Sequence, residues 1–302
     1  MNLSENLRQK GRVLLNEPLS KHTTLKIGGP VKIWAEAEDP DNLKGLLEIS
    51  KTEGVPVFLI GSGSNILATD EGLDMMAISL KGLFGCCKAK EESVSAGAGC
   101  GLQGFILDTI KSGYSGLEFM AGIPGTVGGA IKMNAGSGAR GPWISDFMKQ
   151  VTVCDSYGDI RHIGKSDLRF EYRSSGLKEL IILEAEFNLD KSEDAATVGA
   201  GYKKFLEEKK NKQELSVPSA GCVFKNPGGF TLSAAQMIEA CGLKGKRLGD
   251  AVISGKHANF IVNSGKATFS DISGLIELIR REVLKKYNIN LETEIEILEN
   301  GR

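Results

Sequence analysis

The sequence lacks long hydrophobic runs. No stretch of about 18 apolar residues occurs, so no transmembrane helix is predicted. The opening segment MNLSENLRQKGR is polar and contains no hydrophobic signal-peptide segment. We therefore expect a cytoplasmic protein without membrane insertion.

An excess of charge of either sign is also missing. The 302 residues carry 37 Lys and Arg against 38 Asp and Glu, which gives a formal net charge of −1, and the charges are interspersed. Nucleic-acid and anionic-membrane binders carry an excess or blocks of basic side chains. We expect no nucleic-acid partner, whereas a small charged ligand is compatible with this composition.

Cysteine and histidine are few and scattered. The six cysteines include no CxxC pair, and the three histidines lie far apart in sequence. Neither set has the spacing of a tetrahedral metal site, so we predict no bound metal. In a cytosolic chain we expect most of the thiols to be reduced and buried, without a disulfide framework.

Glycine, by contrast, is concentrated in one stretch. Residues 122–138 read GIPGTVGGAIKMNAGSG, with six glycines in 17 positions. Glycine lets the main chain approach a ligand closely, so this density indicates backbone lying against a large flat or phosphorylated ligand. The apolar residues Ile123, Val127 and Ile131 argue against a flexible linker, which would be polar.

A second, shorter glycine turn follows a predicted strand. VPVFLI (55–60) runs into GSGSN (61–65), whose backbone N–H groups suit an anion. The turn is not a Rossmann fingerprint, because Ile66 holds the sixth position and no helix pattern follows. A lone glycine turn of this kind is more often an ordinary tight turn than a nucleotide-binding site. It supports a ligand site here because the larger glycine loop is present as well.

Helix and strand patterns are mixed along the chain. Asp39 and Pro40 predict the start of a helix, and Gly54 predicts its end. Because a steady alternation of strands and helices is missing, we expect the α+β class. Further predicted elements are a helix at 102–112, a hairpin around Tyr157-Gly158, a buried strand at 180–189, a solvated helix after 191, a helix between Ser233 and Gly242, a strand near 259–263, a helix at 270–287 and a closing strand at 291–298.

Seven long motifs occur in order along nearly the whole chain. They are HTTLKIGGP (22–30), IGSGSNILATDEG (60–72), GLEFMAGIPGTVGGAIKMNAG (116–136), FEYRSS (170–175), PSAGCVFKNP (218–227), GLKGKRLGDAVISGKHANFIVN (242–263) and LETEIEIL (291–298). Together they resemble the UDP-N-acetylenolpyruvoylglucosamine reductase family, the flavoproteins that complete UDP-N-acetylmuramate in bacterial cell-wall synthesis. Several long motifs in one order are far more specific than a single glycine signature.

The resemblance implies a two-subdomain FAD-binding fold of the vanillyl-alcohol-oxidase (PCMH) type, followed by a C-terminal α+β substrate-binding domain. We place the FAD-binding subdomains at 1–90 and 91–190 and the substrate-binding domain at 191–302. The FAD is expected to be noncovalent, because no attachment His or Cys is evident. By the same resemblance, FAD is bound by Gly61, Ser62, Gly63, Ser64, Asn65 and Ile66 and by Pro124, Gly125, Thr126, Gly128, Gly129 and Ala130.

The resemblance also implies a reaction in two halves. NADPH passes hydride to the flavin, and after NADP⁺ leaves, the flavin passes hydride to the enolpyruvyl methylene carbon of UDP-N-acetylglucosamine enolpyruvate. The protein then has to position the alkene, stabilise charge on the adjacent carboxylate and deliver a proton to the other alkene carbon.

Three residues match the catalytic positions of the family. Arg173, in FEYRSS, is expected to face the enolpyruvyl carboxylate with its planar guanidinium, although an arbitrary arginine is more often a surface ion-pair residue. Cys222 stands where many relatives have serine and is expected to protonate the intermediate; the alternative is a packed thiol with water as the donor. Glu294 is expected to hydrogen-bond the intermediate, while the alternation of LETEIEIL alone predicts a solvated strand face carrying Glu292, Glu294 and Glu296.

Four further residues resemble substrate-side positions of the family, although each is also compatible with ordinary surface or core. The connection between YRSS and PSAGC is short, which indicates the family type without the insertion that carries a substrate-clamping tyrosine. Glu214 stands where many relatives have proline. The four residues are Lys212, Lys225, Asn226 and His257.

Two other classes of function stay open. Another FAD-dependent sugar or alcohol oxidoreductase of the same fold would keep both glycine loops but lose the Arg, Cys and Glu set. A catalytically silent nucleotide-sugar-binding regulator would tolerate changes at those same positions. The sequence shows only the Ser-to-Cys change there, which favours the reductase.

Overall fold

The structure is a computed structural model that describes residues 7, 11–81, 85, 87–89, 93–138, 141–177, 179–192 and 194–300. Strands and helices are mixed along the chain, as the α+β prediction requires. The chain divides into two units. Unit 1 comprises the described residues of 1–16, 33–62 and 74–208, and unit 2 those of 17–32, 63–73 and 209–302.

Helix boundaries follow capping residues that are visible in the sequence. Helix α1 (Pro40–Glu53) begins after Asp39, whose carboxylate accepts a hydrogen bond from the Asn42 N–H at 2.6 Å. It ends at Gly54, which adopts a left-handed φ of 65°. The predicted helix is therefore confirmed at both ends. The other helices are α2 (Leu102–Lys111), α3 (Val127–Lys132), α4 (Ala195–Lys212), α5 (Ala234–Ala240) and α6 (Phe269–Tyr287).

Two sheets lie mainly in unit 1. In the first, of order β1-β2-β5-β3, strand β3 runs parallel to β5; the strands are β1 (Arg12–Pro18), β2 (Pro30–Glu36), β3 (Val57–Leu59) and β5 (Leu73–Ser79). The second is antiparallel, of order β10-β9-β11-β7-β6, with β6 (Lys88–Ala89), β7 (Val94–Gly97), β9 (Met148–Cys154), β10 (Ile160–Gly164) and β11 (Ile181–Phe187). The β9–β10 hairpin and the strand β11 confirm two predictions. A short pair joins β8 (Tyr114–Ser115) to β12 (Asp190–Lys191).

The apolar stripe of α2 helps to form the core of unit 1. Leu102, Phe105, Ile106 and Ile110 recur at helical spacing and are buried. The Phe105 ring lies 5.2 Å from that of Phe187 on β11. Helix α4 differs, because Tyr202 is its only buried residue, and this agrees with the predicted solvated helix.

Unit 2 contains a four-stranded antiparallel sheet and a parallel strand pair. The sheet has the order β13-β16-β15-β14, from β13 (Ser219–Cys222), β14 (Arg247–Leu248), β15 (Ala251–Ile253) and β16 (Phe260–Asn263). Strand β4 (Ile66–Ala68) pairs in parallel with β17 (Glu296–Leu298). The core of unit 2 includes the buried face of α6, which carries Ile272, Leu275, Ile276, Ile279 and Val283.

The closing strand is shorter than its alternation predicts. Only Glu296–Leu298 pairs as a strand, and Glu294 lies before it, with its N–H bonded to the Val223 carbonyl at 2.8 Å. The predicted closing strand is therefore confirmed over Glu296–Leu298 only, and Glu292 and Glu294 lie outside it. The alternating pattern predicts too long a strand because the backbone here pairs with two different segments. The Glu294 N–H donates to Val223, whereas the Glu296 N–H donates to Asn65.

The cysteines follow the prediction with one exception. Cys87, Cys154, Cys222 and Cys241 form no disulfide. Burial, helped by Asp155, raises the pKa of Cys154 to about 11. Cys100 is disulfide-bonded, which corrects the expectation for this residue. Sequence spacing alone does not reveal which sulfur atoms a fold brings together. Cys86 lies outside the described residues.

Within the described ranges, no group of three His, Cys, Asp or Glu side chains is arranged to hold a metal ion. None of the described helices combines the length and apolar character that spanning a membrane requires. The predicted boundaries at residues 90 and 190 stay a prediction.

Candidate functional site

Two predicted cofactor loops meet within unit 1. Gly61 follows β3, and Thr126 caps the N-terminus of α3, where its hydroxyl accepts a hydrogen bond from the Gly129 N–H at 3.2 Å. A Cβ added to Gly61 would lie 2.6 Å from the Thr126 hydroxyl oxygen. Only glycine, which has no Cβ, allows the main chain at residue 61 to lie this close to Thr126. The glycine at this position is therefore required by the packing of the two loops.

The larger glycine loop is fixed from behind by the segment that precedes α2. The Gly128 N–H donates to the Ala98 carbonyl at 2.8 Å, and the Val127 N–H donates to the Cys100 carbonyl at 2.9 Å. A Cβ on Gly128 would lie 2.7 Å from the Ala98 Cβ. Gly125 adopts a φ of 134°, which side-chain-bearing residues rarely adopt.

Gly128→Ala is expected to destabilise unit 1 by about 1–3 kcal/mol, because the new methyl group overlaps Ala98 in a packed region. FAD affinity should fall with it, since the loop must shift. Chemical denaturation and FAD titration measure the two effects. The matched control is Gly104→Ala on α2, where an added Cβ meets no atom within 4 Å and helix propensity favours alanine by up to about 1 kcal/mol. Equal behaviour of the two variants would contradict the packing argument.

Several residues of the two loops are exposed to solvent. Gly61, Ser62, Pro124 and Gly129 are exposed, whereas Thr126 and Ala130 are buried. Short side chains over an exposed backbone permit close approach of a flat ring and of phosphates. These residues of unit 1 therefore fit FAD.

The remaining residues of the shorter turn belong to unit 2. Gly63 has a φ of 59°, and a Cβ there would lie 2.2 Å from the His22 carbonyl oxygen. The Asn65 side-chain amide donates to the Glu294 carbonyl at 3.1 Å, and the Asn65 carbonyl accepts from the Glu296 N–H at 2.8 Å. Ser64 is half-buried, and Ile66 is buried in β4. Asn65 therefore holds the Glu294 segment in place, a role that its motif did not reveal.

Cys222 and Glu294 lie on neighbouring segments of unit 2. Cys222 ends β13 as a half-buried thiol outside any disulfide, and the next residue, Val223, accepts the hydrogen bond from the Glu294 N–H at 2.8 Å. Glu294 is half-buried, not solvated as its alternation alone predicts. The structure thus brings together the segments that carry two of the three predicted catalytic residues.

Two residues that sequence reasoning missed hold the Cys222 segment. The Asn259 side chain accepts from the Phe224 N–H at 2.9 Å and donates to the Phe224 carbonyl at 2.8 Å. The Thr24 hydroxyl donates to the Ser219 carbonyl at 2.7 Å. Both residues lie inside quoted motifs, HANFIVN and HTTLKIGGP, and motif membership was the signal that could have found them.

Arg173 belongs to unit 1 and sits in a tight turn. Glu171 and Ser174 exchange two backbone hydrogen bonds, of 2.9 and 3.1 Å, and Arg173 between them has a left-handed φ of 57°. Its guanidinium lies 5.1 Å from the centre of the Tyr172 ring, and the residue is half-buried. Asn16, Lys26, Asn134 and Asn288 share this backbone conformation, which is uncommon for residues other than glycine.

The predicted substrate-side residues have different surroundings. Lys212 is exposed at the end of α4. The Lys225 ammonium lies 3.5 Å from the Glu292 carboxylate. The Asn226 side-chain oxygen accepts from the Ala234 N–H at 3.0 Å, so it fixes the start of α5.

His257 lies against Phe260, with the ring centres 4.9 Å apart. Its Nδ1 is buried and makes no hydrogen bond to any described residue. Burial, together with the positive charge of Lys244, lowers the pKa of His257 below its ordinary value of 6.5. The imidazole is therefore mostly neutral at neutral pH.

His257→Gln is expected to reduce the pH dependence of the free energy of unfolding below about pH 6.5. The folded-state pKa of His257 is depressed, so the unfolded state binds the extra proton and stability falls as pH decreases from about 6.5 to the folded pKa. Urea unfolding across this window measures the slope. A wild-type slope in His257→Gln would contradict the assignment.

Comparisons with known proteins cover both ends of the chain. The family model for the UDP-N-acetylenolpyruvoylglucosamine reductase C-terminal domain matches residues 212–298, and the model for an FAD binding domain matches residues 30–164. The UDP-N-acetylenolpyruvoylglucosamine reductase of Pelobacter propionicus is 40% identical over 299 residues, covering 99% of each chain. That of Bacillus subtilis is 37% identical over 298 residues, covering 98% of this chain and 97% of the relative.

A solved structure extends the likeness to the fold. The UDP-N-acetylenolpyruvylglucosamine reductase from Thermus caldophilus is similar with a TM-score of 0.80 and 34% identity, covering 95% of this chain and 98% of that chain. The predicted fold class and the predicted FAD cofactor are confirmed by these likenesses. The chain belongs to the UDP-N-acetylenolpyruvoylglucosamine reductase family of FAD-dependent oxidoreductases.

Proposed function

We propose that the protein uses NADPH to reduce the enolpyruvyl group of UDP-N-acetylglucosamine enolpyruvate to UDP-N-acetylmuramate, in the cytoplasm, as a step of peptidoglycan precursor synthesis. The observation that carries the proposal is the hydrogen bond between the Glu294 N–H and the Val223 carbonyl. It supports the proposal because it holds the Glu294 segment against the residue that follows Cys222.

The FAD, when bound without a covalent link, supplies the hydride transfer from NADPH to the alkene. The two glycine loops, which carry the exposed residues Gly61 and Gly129, would hold it. In this proposal, residues 1–90 and 91–190 form the FAD-binding subdomains and residues 191–302 the substrate-binding domain.

Arg173 is proposed to bind the carboxylate of the enolpyruvyl group. As the methylene carbon receives hydride, negative charge spreads from the neighbouring carbon into this carboxylate. A planar guanidinium donates two parallel hydrogen bonds to the two carboxylate oxygens. The tight turn from Glu171 to Ser174 supports this role, because it limits the directions in which the side chain can leave the backbone.

Cys222 is proposed to deliver the proton. The alkene gains hydride at the methylene carbon and the Sγ proton at the adjacent carbon, while NADPH becomes NADP⁺ and the thiolate regains a proton from solvent. A thiol is intrinsically more acidic than the serine hydroxyl of many relatives. The half-buried position of Cys222 is compatible with both contact with substrate and return of the proton.

Glu294 is proposed to hydrogen-bond the intermediate from the neighbouring segment. Lys212, Lys225, Asn226 and His257 are proposed to contact the nucleotide sugar. A neutral His257 would offer a hydrogen bond and not a charge, whereas the two lysines would offer charge to phosphates. Because Asn226 also fixes α5, its substitution would affect packing as well as binding.

The test uses the protein reconstituted with FAD. Consumption of NADPH should require the enolpyruvyl nucleotide, and the product should be heavier by two hydrogen atoms on mass spectrometry. Flavin bleaching by simple sugars or alcohols without NADPH would instead identify an oxidase of the same fold. Tight binding of nucleotide sugars without turnover would identify a silent regulator.

A further inference from the structure

We infer that Asn134 is a positioning residue that links the glycine loop to the turn carrying Arg173. The inference rests on the proposed function, because it concerns the arginine that would bind the enolpyruvyl carboxylate. Asn134 lies at the end of the glycine loop, just after α3, and it is not among the residues that the motifs assigned a role.

The link is a single hydrogen bond between two segments of unit 1. The Asn134 side-chain amide donates to the Glu171 carbonyl at 3.1 Å. Glu171 opens the tight turn, since its carbonyl also accepts from the Ser174 N–H at 3.1 Å. Asn134 therefore binds the backbone atom at which the Arg173 turn closes.

Asn134 holds this position at a conformational cost. Its φ is 42°, in the left-handed region, where glycine is accommodated without strain. It is 3% exposed, and its side-chain oxygen makes no hydrogen bond to any described residue. Burying an unsatisfied acceptor is unfavourable. Glycine would avoid both costs in this glycine-rich loop, so the amide must be retained for the bond that it donates.

The turn needs such an anchor because Arg173 is itself in a left-handed conformation, with a φ of 57°. A strained residue keeps its conformation only where the surrounding structure determines it. The two backbone bonds between Glu171 and Ser174 close the turn, and the Asn134 amide attaches it to the glycine loop. Removing the amide leaves the turn closed but free to change its direction, and the guanidinium moves with it.

The experiment compares two glycine substitutions in the FAD-loaded protein. Asn134→Gly removes the amide while easing the backbone strain. Asn288→Gly is the matched control, because Asn288 is also a left-handed asparagine, with a φ of 56°, but it is exposed and ends α6 in unit 2. Asn134→Asp keeps the size of the side chain and replaces the donating amide with a carboxyl group, so its effect combines loss of the bond with burial of an acid.

Both Asn134 variants are expected to raise amide hydrogen exchange in residues 169–176, and Asn288→Gly is expected to leave it unchanged. Bleaching of the flavin by NADPH should stay within about twofold of the wild type. Reoxidation by the enolpyruvyl nucleotide should slow by about 100-fold, the effect of displacing a reacting group by about 1 Å. A merely structural role would change both half-reactions together or change only the unfolding midpoint.

Unchanged exchange in residues 169–176, or unchanged reoxidation in Asn134→Gly, would overturn the inference. Failure of the proposed function has a different signature. In that case the wild-type flavin is not reoxidised by the enolpyruvyl nucleotide at all, while hydrogen exchange still decides whether Asn134 holds the turn.

Discussion

Cys222→Ala is expected to abolish most of the reoxidation of the reduced flavin by the enolpyruvyl nucleotide while leaving its reduction by NADPH intact. Removing a proton donor of this kind slows the step that it serves by about 10²- to 10⁴-fold. Reduction by NADPH requires no proton at the alkene, so it should be unaffected. Anaerobic stopped-flow absorbance separates the two half-reactions.

Two further variants make the result specific to the thiol proton. Cys222→Ser should restore reoxidation substantially, because a hydroxyl donates a proton from the same position. Cys241→Ala removes another half-buried free thiol of unit 2 and should change neither half-reaction. If Cys222→Ala reoxidises at the wild-type rate, Cys222 is a packing residue and the proton comes from water.

Arg173→Lys is expected to slow reoxidation by about 10²- to 10³-fold, as the loss of a preorganised donor at a developing anion does in other enzymes. Lysine keeps the positive charge but loses the planar fork that matches two carboxylate oxygens. The affinity for the enolpyruvyl nucleotide should fall less than the rate, because the charge on the carboxylate grows during the reaction. Stopped-flow rates over a range of nucleotide concentrations give both quantities.

The control for this change is Arg161→Lys, at an exposed arginine on β10 in the same unit. It should leave both half-reactions unchanged. An equal loss of affinity and rate in Arg173→Lys would indicate uniform binding of the carboxylate and would contradict a role in stabilising developing charge.

Local signals in the sequence predicted much of the fold. Asp39 with Pro40, Gly54 and Ser233 each marked a helix end, because their capping chemistry acts within one turn of the chain. The closing strand was predicted too long, since its alternating pattern does not record that Glu294 bonds to Val223. Long-range pairing of this kind is decided by segments that are far apart in sequence.

The candidate site was likewise predicted from local motifs but not in its long-range contacts. The motifs identified Gly61 and Gly128, and the structure supplies the reason, since a Cβ at either position would overlap Thr126 or Ala98. Asn134 and Asn259 carry no sequence signal of their own beyond lying in motifs. Their roles depend on bonds to Glu171 and Phe224, 37 and 35 positions away in sequence, which only the folded chain reveals.

The most direct test of the account is an anaerobic titration of the FAD-loaded wild-type protein. NADPH should bleach the visible flavin band, and one equivalent of UDP-N-acetylglucosamine enolpyruvate should then restore it, with UDP-N-acetylmuramate as the product. A flavin band that stays bleached in the presence of the enolpyruvyl nucleotide and returns only when air is admitted would contradict the account.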